Sequence, residues 1–154
     1  MRYLIAILAL AGLIVSCFAL REHFRTGAAP CDINEKWDCG VVNHSPFAEL
    51  GGIISVIVPG ASSFLDSHAA LAKLTSIPVA VVGIAGYLAI IGFALTRRWW
   101  IVLLLTTGAV GFSILLTYIE ARLLETYCIW CVTSAGIICL TEVASIVAVV
   151  RRRK

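Results

Sequence analysis

Charge is scarce in this chain. Asp, Glu, Lys and Arg make up 14% of its 154 residues, where ordinary soluble domains carry about 25%. That shortage excludes a water-solvated surface of the usual extent. With 60% hydrophobic residues and a mean hydropathy of +0.98, it points to lipid. Period-2 alternation is missing from the apolar stretches, which argues against barrel strands. There is no internal repeat and no low-complexity tract. The length suits one membrane domain over residues 1–154 and leaves no room for a second folded domain beside it. The basic run 151–154 has no aromatic or polar company, so a nucleic-acid partner is not expected.

What is present is four apolar stretches, residues 3–20, 77–95, 99–119 and 128–150. A membrane-spanning helix takes about 20 residues, and in hydrocarbon a helix is the remaining way to pair every backbone group. The expected fold class is therefore an all-α integral membrane protein, a four-transmembrane-helix bundle. Ser76 is expected to cap the second span, with Pro78 in its first turn, where a missing N–H costs little. The pairs Gly83/Gly86 and Gly108/Gly111 are expected to allow close helix contact. The loop 21–76 is too long for a bare connection. Its apolar middle, 47–58, is too short to span and reads as a half-helix or interfacial helix over the bundle, stopping at Pro59-Gly60.

The basic residues give an orientation. Arg2, Arg97, Arg98, Arg151, Arg152, Arg153 and Lys154 fall on one face with no acid, and Arg21, Arg25, Lys36, Lys73 and Arg122 fall on the other with eight acids. The positive-inside rule then puts both termini in the cytoplasm and the long loop outside. Trp99 and Trp100 are expected at the inner interface, and Tyr118, Tyr127 and Trp130 at the outer one. The start Met1-Arg2 followed by an apolar run, with Ser16-Cys17 in a lipoprotein-like box, also reads as a cleavable signal. Cleavage would leave three spans and misplace the Arg97-Arg98 turn, so a retained span is expected.

Four of the six cysteines lie in or beside polar segments. Cys31 and Cys39 bound a polar loop, and Cys128 and Cys131 form Cys-Ile-Trp-Cys at the start of the last span. All four fall on the outer, disulfide-permissive side. A spacing of three puts Cys128 and Cys131 on one helical face, within reach of a disulfide. The helix N-terminus favours a thiolate, the nucleophile of thiol–disulfide exchange. A dithiol beside hydrocarbon releases two electrons, the number a lipid-soluble quinone accepts. Two alternatives stand beside this reading: a membrane scaffold whose disulfides are static staples, and a zinc site built from all four sulfurs. Cys17 and Cys139, inside apolar runs, are expected to be packing residues.

This arrangement, a Cys-Asp…Cys loop after the first span, then a serine, then C-x-x-C opening the last helix, resembles the vitamin K epoxide reductase family over nearly the whole chain. Other bacterial quinone-linked disulfide catalysts carry C-x-x-C in their first outward loop. The run Ser76-Ile77-Pro78…Gly83…Gly86-Tyr87 is similar to bacterial members. The resemblance implies a thiol oxidoreductase in which Cys31 meets a partner protein, Cys39 exchanges with Cys128, and Cys131 faces the quinone. Ser45 and Thr75 would help to bind that quinone, Thr75 standing where vertebrate enzymes have asparagine. Ala135 stands where they have a tyrosine, which implies a respiratory quinone (ubiquinone, menaquinone or phylloquinone) rather than an epoxide. Vitamin K quinone or epoxide reduction in the strict sense is the alternative. Many bacterial members have a fused thioredoxin-like domain. Here the partner is expected to be a separate thioredoxin-like, disulfide-oxidase protein outside a bacterial inner membrane.

Three other readings complete the sequence. Glu142, within the last span, is expected to snorkel or to pair with the arginine tail, with proton handling as its functional alternative. His44, beside Ser45, is a candidate proton donor but reads first as a solvated loop residue. His23 and His68 share that loop.

Overall fold

The structure is a computed structural model and describes residues 1–27, 31–58 and 73–153. The expected stop at Pro59-Gly60, His68 and Lys154 lie outside the described residues. The architecture is all-helical: α1 (Arg2–His23), α2 (Cys39–Asn43), a 3-10 turn (Pro46–Ala48), α3 (Leu50–Ile57), α4 (Val79–Leu95), α5 (Trp99–Ile119), a π-helical turn (Glu120–Leu124) and α6 (Ile129–Arg153). Among the described residues, three helical stretches are long and apolar enough to cross a membrane: Arg2–His23, Trp99–Leu124 and Ile129–Arg152. The fourth expected span is the shorter apolar helix Val79–Leu95.

Burial runs the way lipid demands. Leu104, Ile7, Ile114 and Leu140 face outward, while Thr106, Thr141 and Ser145 are fully buried. In water this would be costly. In hydrocarbon an outward leucine is at home and an inward hydroxyl finds a partner. The core is made by Ile5 and Ala9 of α1, Tyr87, Ile90 and Ala94 of α4, Val102 of α5, and Ile138, Ala144 and Ala148 of α6. α1 packs along both α4 and α6. Ile5 and Ala9, both ahead of Cys17, belong to this core.

The glycine pairs divide. A Cβ on Gly83 would come 3.1 Å from Ser16 Oγ of α1, so this glycine permits close approach. A tighter approach between α1 and α4 was not expected: a Cβ on Gly12 would run into the Tyr87 ring. Gly86, Gly108 and Gly111 have open space beyond them, and the first two border a cavity instead of a helix contact. The start of α4 also differs. Pro78 holds the N-cap position, and Ser76 turns its hydroxyl back to the Lys73 carbonyl, 3.4 Å away. The restriction that Pro78 places on the preceding residue delays the helix to Val79.

Glu142 does not turn to the arginine tail. Its carboxylate accepts hydrogen bonds from Thr106, from Thr107 at 2.7 Å and from Ser145 at 3.3 Å, which ties α5 to α6. Hydroxyls one helix away satisfy a carboxylate at this depth without the long reach to a terminus. Trp130, at the start of α6, stacks on Phe18 near the end of α1 with ring centroids 4.9 Å apart. Cys17 and Cys139 are exposed on the outside of the bundle, not packed within it.

Candidate active site

The loop that carries Cys31 and Cys39 is stitched to the chain just ahead of Cys128. Tyr127 N–H donates to the Lys36 carbonyl at 2.8 Å, Asp38 N–H donates to the Tyr127 carbonyl at 3.1 Å, and Thr126 Oγ1 donates to the Glu35 carbonyl at 3.2 Å. The Trp37 and Tyr127 rings pack beside this pairing. Asp38 caps α2, its carboxylate accepting from Val41 N–H at 2.8 Å. Cys39 therefore opens a helix that is pinned against the start of α6. The result is one buried cluster of Cys31, Cys39, Val42 and Cys128, with Cys131 packed against it. Cys31 and Cys39 form a disulfide, while Cys128 and Cys131 are free thiols. That bond takes two of the four sulfurs out of any four-cysteine zinc site.

Cys128 sits one residue earlier than the helix itself. Its carbonyl accepts the first bond of α6, from Val132 N–H at 3.0 Å, so it holds the N-cap position. A cap side chain accepts from the free amides of the second and third helical residues, here Trp130 and Cys131. The sequence C-x-x-C thus puts one sulfur at the cap and the other three residues on. The Cys128 thiol is drawn down to about 7, chiefly by hydrogen bonding from the Cys131 side chain. The Cys131 and Trp130 amides and Asn43 add to this, against the opposing effect of burial. Asn43 was not singled out in the sequence. Buried between the pairs, its Nδ2 donates to the Cys39 carbonyl at 2.9 Å and to Cys128 Sγ at 3.4 Å. Its own carbonyl accepts from the His23 ring at 2.7 Å. The signal for it was its place one helical turn after Cys39.

Beside the cluster lies a cavity of about 420 Å³ between α1, α4, α5 and α6. Cys131 lines it and Cys128 does not. Its walls are mainly apolar, and its polar members include Asn43, Ser45, Tyr87, Glu120 and Ser134. Among the described residues the buried Trp130 Nε1, on this wall, has no hydrogen-bond partner. Tyr87 donates to the Ser134 carbonyl at 3.1 Å, which fixes one wall. Small-molecule sites typically occupy about 300–1,000 Å³, with few polar groups in an apolar surround.

The other expected residues fall in different places. Ser45 borders the cavity while its hydroxyl donates to the Val42 carbonyl at 2.8 Å. Thr75 packs its Cβ towards Gly51 and does not line the cavity. The His44 ring lies between the carbonyls of Gly40 and Arg25, 2.8 and 3.0 Å from its two nitrogens, and donates to one of them, so it braces the loop.

The model of the vitamin K epoxide reductase family matches residues 3–146. The chain belongs to the vitamin K epoxide reductase family. No individual curated protein matches it significantly. Membership makes this a membrane protein of the thiol–disulfide oxidoreductase class, and the joined Cys31–Cys39 pair beside a free C-x-x-C dithiol is in keeping with that chemistry.

Proposed function

We propose that the chain passes electrons from a partner dithiol through Cys31/Cys39 to Cys128/Cys131 and on to a membrane quinone, in support of disulfide formation outside the cell. One observation carries this reading: Cys131 opens onto an apolar cavity while its partner Cys128 faces the buried Cys39 cluster. The two sulfurs of C-x-x-C therefore serve different sides. The cavity suits a quinone head group. It has an apolar wall, a buried indole N–H without an acceptor among the described residues, and a thiol within the lining. The Trp130 N–H would orient a carbonyl oxygen there.

The relay runs by thiol–disulfide exchange. The partner reduces the Cys31–Cys39 bond at Cys31. Cys39 then attacks Cys128 of an oxidised inner pair, and Cys31 resolves the mixed disulfide. The joined loop pair and free inner pair of the structure correspond to the state after these electrons have moved inward. Bound quinone supplies the two-electron acceptor. The protein holds Cys131 against it and excludes water with the apolar walls. Positive-inside placement of Arg97, Arg98 and Arg151 supports cytoplasmic termini and an extracytoplasmic redox loop, the orientation of a bacterial plasma-membrane enzyme served by a separate thioredoxin-like partner.

The test is anaerobic quinol formation by purified protein with a dithiol donor, comparing ubiquinone, menaquinone and phylloquinone. Turnover is expected in the native chain and lost in Cys131→Ser. No turnover with any of the three overturns the reading. A second arm uses Cys31→Ala. Without its resolving sulfur, Cys39 is expected to accumulate as a disulfide with Cys128 on mapping by mass spectrometry. A failure to find that crosslink under graded reduction removes the relay as drawn.

A further inference from the structure

We propose that Glu120 stores one of the two protons of the Cys128/Cys131 dithiol and releases it when those cysteines join, so that each electron pair leaving the site carries two protons. The proposal deepens the quinone-reductase reading and rests on it for the destination of the protons.

Glu120 opens the π-helical turn that follows α5, and it is only 3% exposed. Isolated π turns often mark functional positions. Its carboxyl stands against the Cys128 backbone amide and the Cys131 side chain, and it borders the cavity. Among the described residues its Oε2 has no hydrogen-bond partner. No cation among the described residues forms an ion pair with it, and a carboxylate buried in this way is costly unless a proton neutralises it. The titratable groups that act on it come from the start of α6, Cys128 and Cys131. Arg122 and Glu125 on its own segment are exposed. At the end of α1, Glu22 is engaged with Arg25, and the His23 ring with the Asn43 carbonyl. From the loop, Cys31 and Cys39 are bonded to each other, and on α4 Tyr87 is bonded to Ser134.

The helix cap favours Cys128 as the thiolate. A thiolate and a carboxylate side by side in a buried site repel, so one proton is held between them. With Cys128 as thiolate, Glu120 is the acid. When the Cys128–Cys131 bond forms, the two S atoms give up two electrons. Cys131 gives up its thiol proton and Glu120 its carboxyl proton. A quinone takes both electrons and both protons and leaves as the quinol. The charge on the site is unchanged, one thiolate being replaced by one carboxylate. Re-reduction by the loop dithiol returns the proton to Glu120.

The test is a redox titration of the purified protein against glutathione buffers, with no quinone present, repeated across pH. The native inner pair is expected to take up two protons with each two electrons on both sides of pH 7. Glu120→Gln is expected to take up only one above the pH at which Cys128 ionises, which halves the slope of potential against pH. Glu120→Asp is expected to restore the two-proton slope. The infrared difference spectrum, reduced minus oxidised, is expected to show a protonated carboxylic acid in the native protein and none in Glu120→Gln. An unchanged slope in Glu120→Gln overturns the proposal. So does the absence of an acid band from the native reduced protein, a result that needs no variant to fold. If these results hold but no quinone is reduced, the proton role stands and the proposed acceptor falls.

Discussion

At Cys128 a sulfur takes the place that a serine or aspartate oxygen takes at other helix starts. The same free amides that cap a helix through an oxygen here favour a thiolate, and Asn43 adds a donor from the loop side. Replacing Asn43 by Ala removes that donor and leaves the Cys39 carbonyl without this partner. An unsatisfied buried group costs about 1–3 kcal/mol, so thermal unfolding of the variant is expected at lower temperature. Its sign on reactivity is also set. The native thiol, drawn down to about 7, is a thiolate above that pH and a thiol below it. Alkylation of Cys128 is therefore expected to rise as pH increases through 7, and the midpoint is expected to move upward in Asn43→Ala. A midpoint that stays in place assigns the lowering to the helix cap and Cys131 alone.

Among the helices, two glycines that look alike in sequence do opposite work. Gly12 lets α1 approach the Tyr87 ring of α4, and Tyr87 in turn holds Ser134 of α6. Gly12→Val is expected to destabilise the protein by about 1–3 kcal/mol, the usual cost of overpacking, read as a lower unfolding temperature. Gly108, by contrast, has nothing within 4 Å of where its Cβ would stand and borders the cavity. Gly108→Phe is expected to leave the unfolding temperature and the Cys39–Cys128 exchange intact while raising the KM for quinone about tenfold or more. Equal loss of exchange and quinone reduction in this variant would mean that the cavity is not the quinone site.

For the whole molecule, the pairing of residues 36–38 with Tyr127 is what converts a flexible loop into one wall of a site. Orientation follows from where the charges fall. A single cysteine placed at Arg97, in a background without the native cysteines, is expected to be blocked by a membrane-impermeant reagent only after the inner face is opened. One placed at Lys36 is expected to react in intact cells. The opposite pattern would invert the proposed topology and place the redox loop in a reducing compartment.

Composition and spacing alone carried the reading to an all-helical membrane protein with two cysteine pairs, because hydrocarbon permits few backbone solutions and because C-x-x-C is a local motif whose geometry a helix start imposes. The span over 99–119 and the short helix inside 47–58 were legible for the same reason, both being set by runs of neighbouring residues. What neighbours in sequence could not reveal were meetings across the fold. Asn43 reads as an ordinary loop asparagine until α2 is pinned against α6. Glu120 counts as one more outward acid until the π turn buries it beside two thiols. Glu142 reads as a snorkelling side chain until α5 brings Thr106 and Thr107 to it. Gly86 and Gly108 read as contact residues until the spacing of α4 and α5 leaves a cavity there. In each case the side chain's role depends on which partner is within a few ångströms, and tertiary packing alone decides that distance.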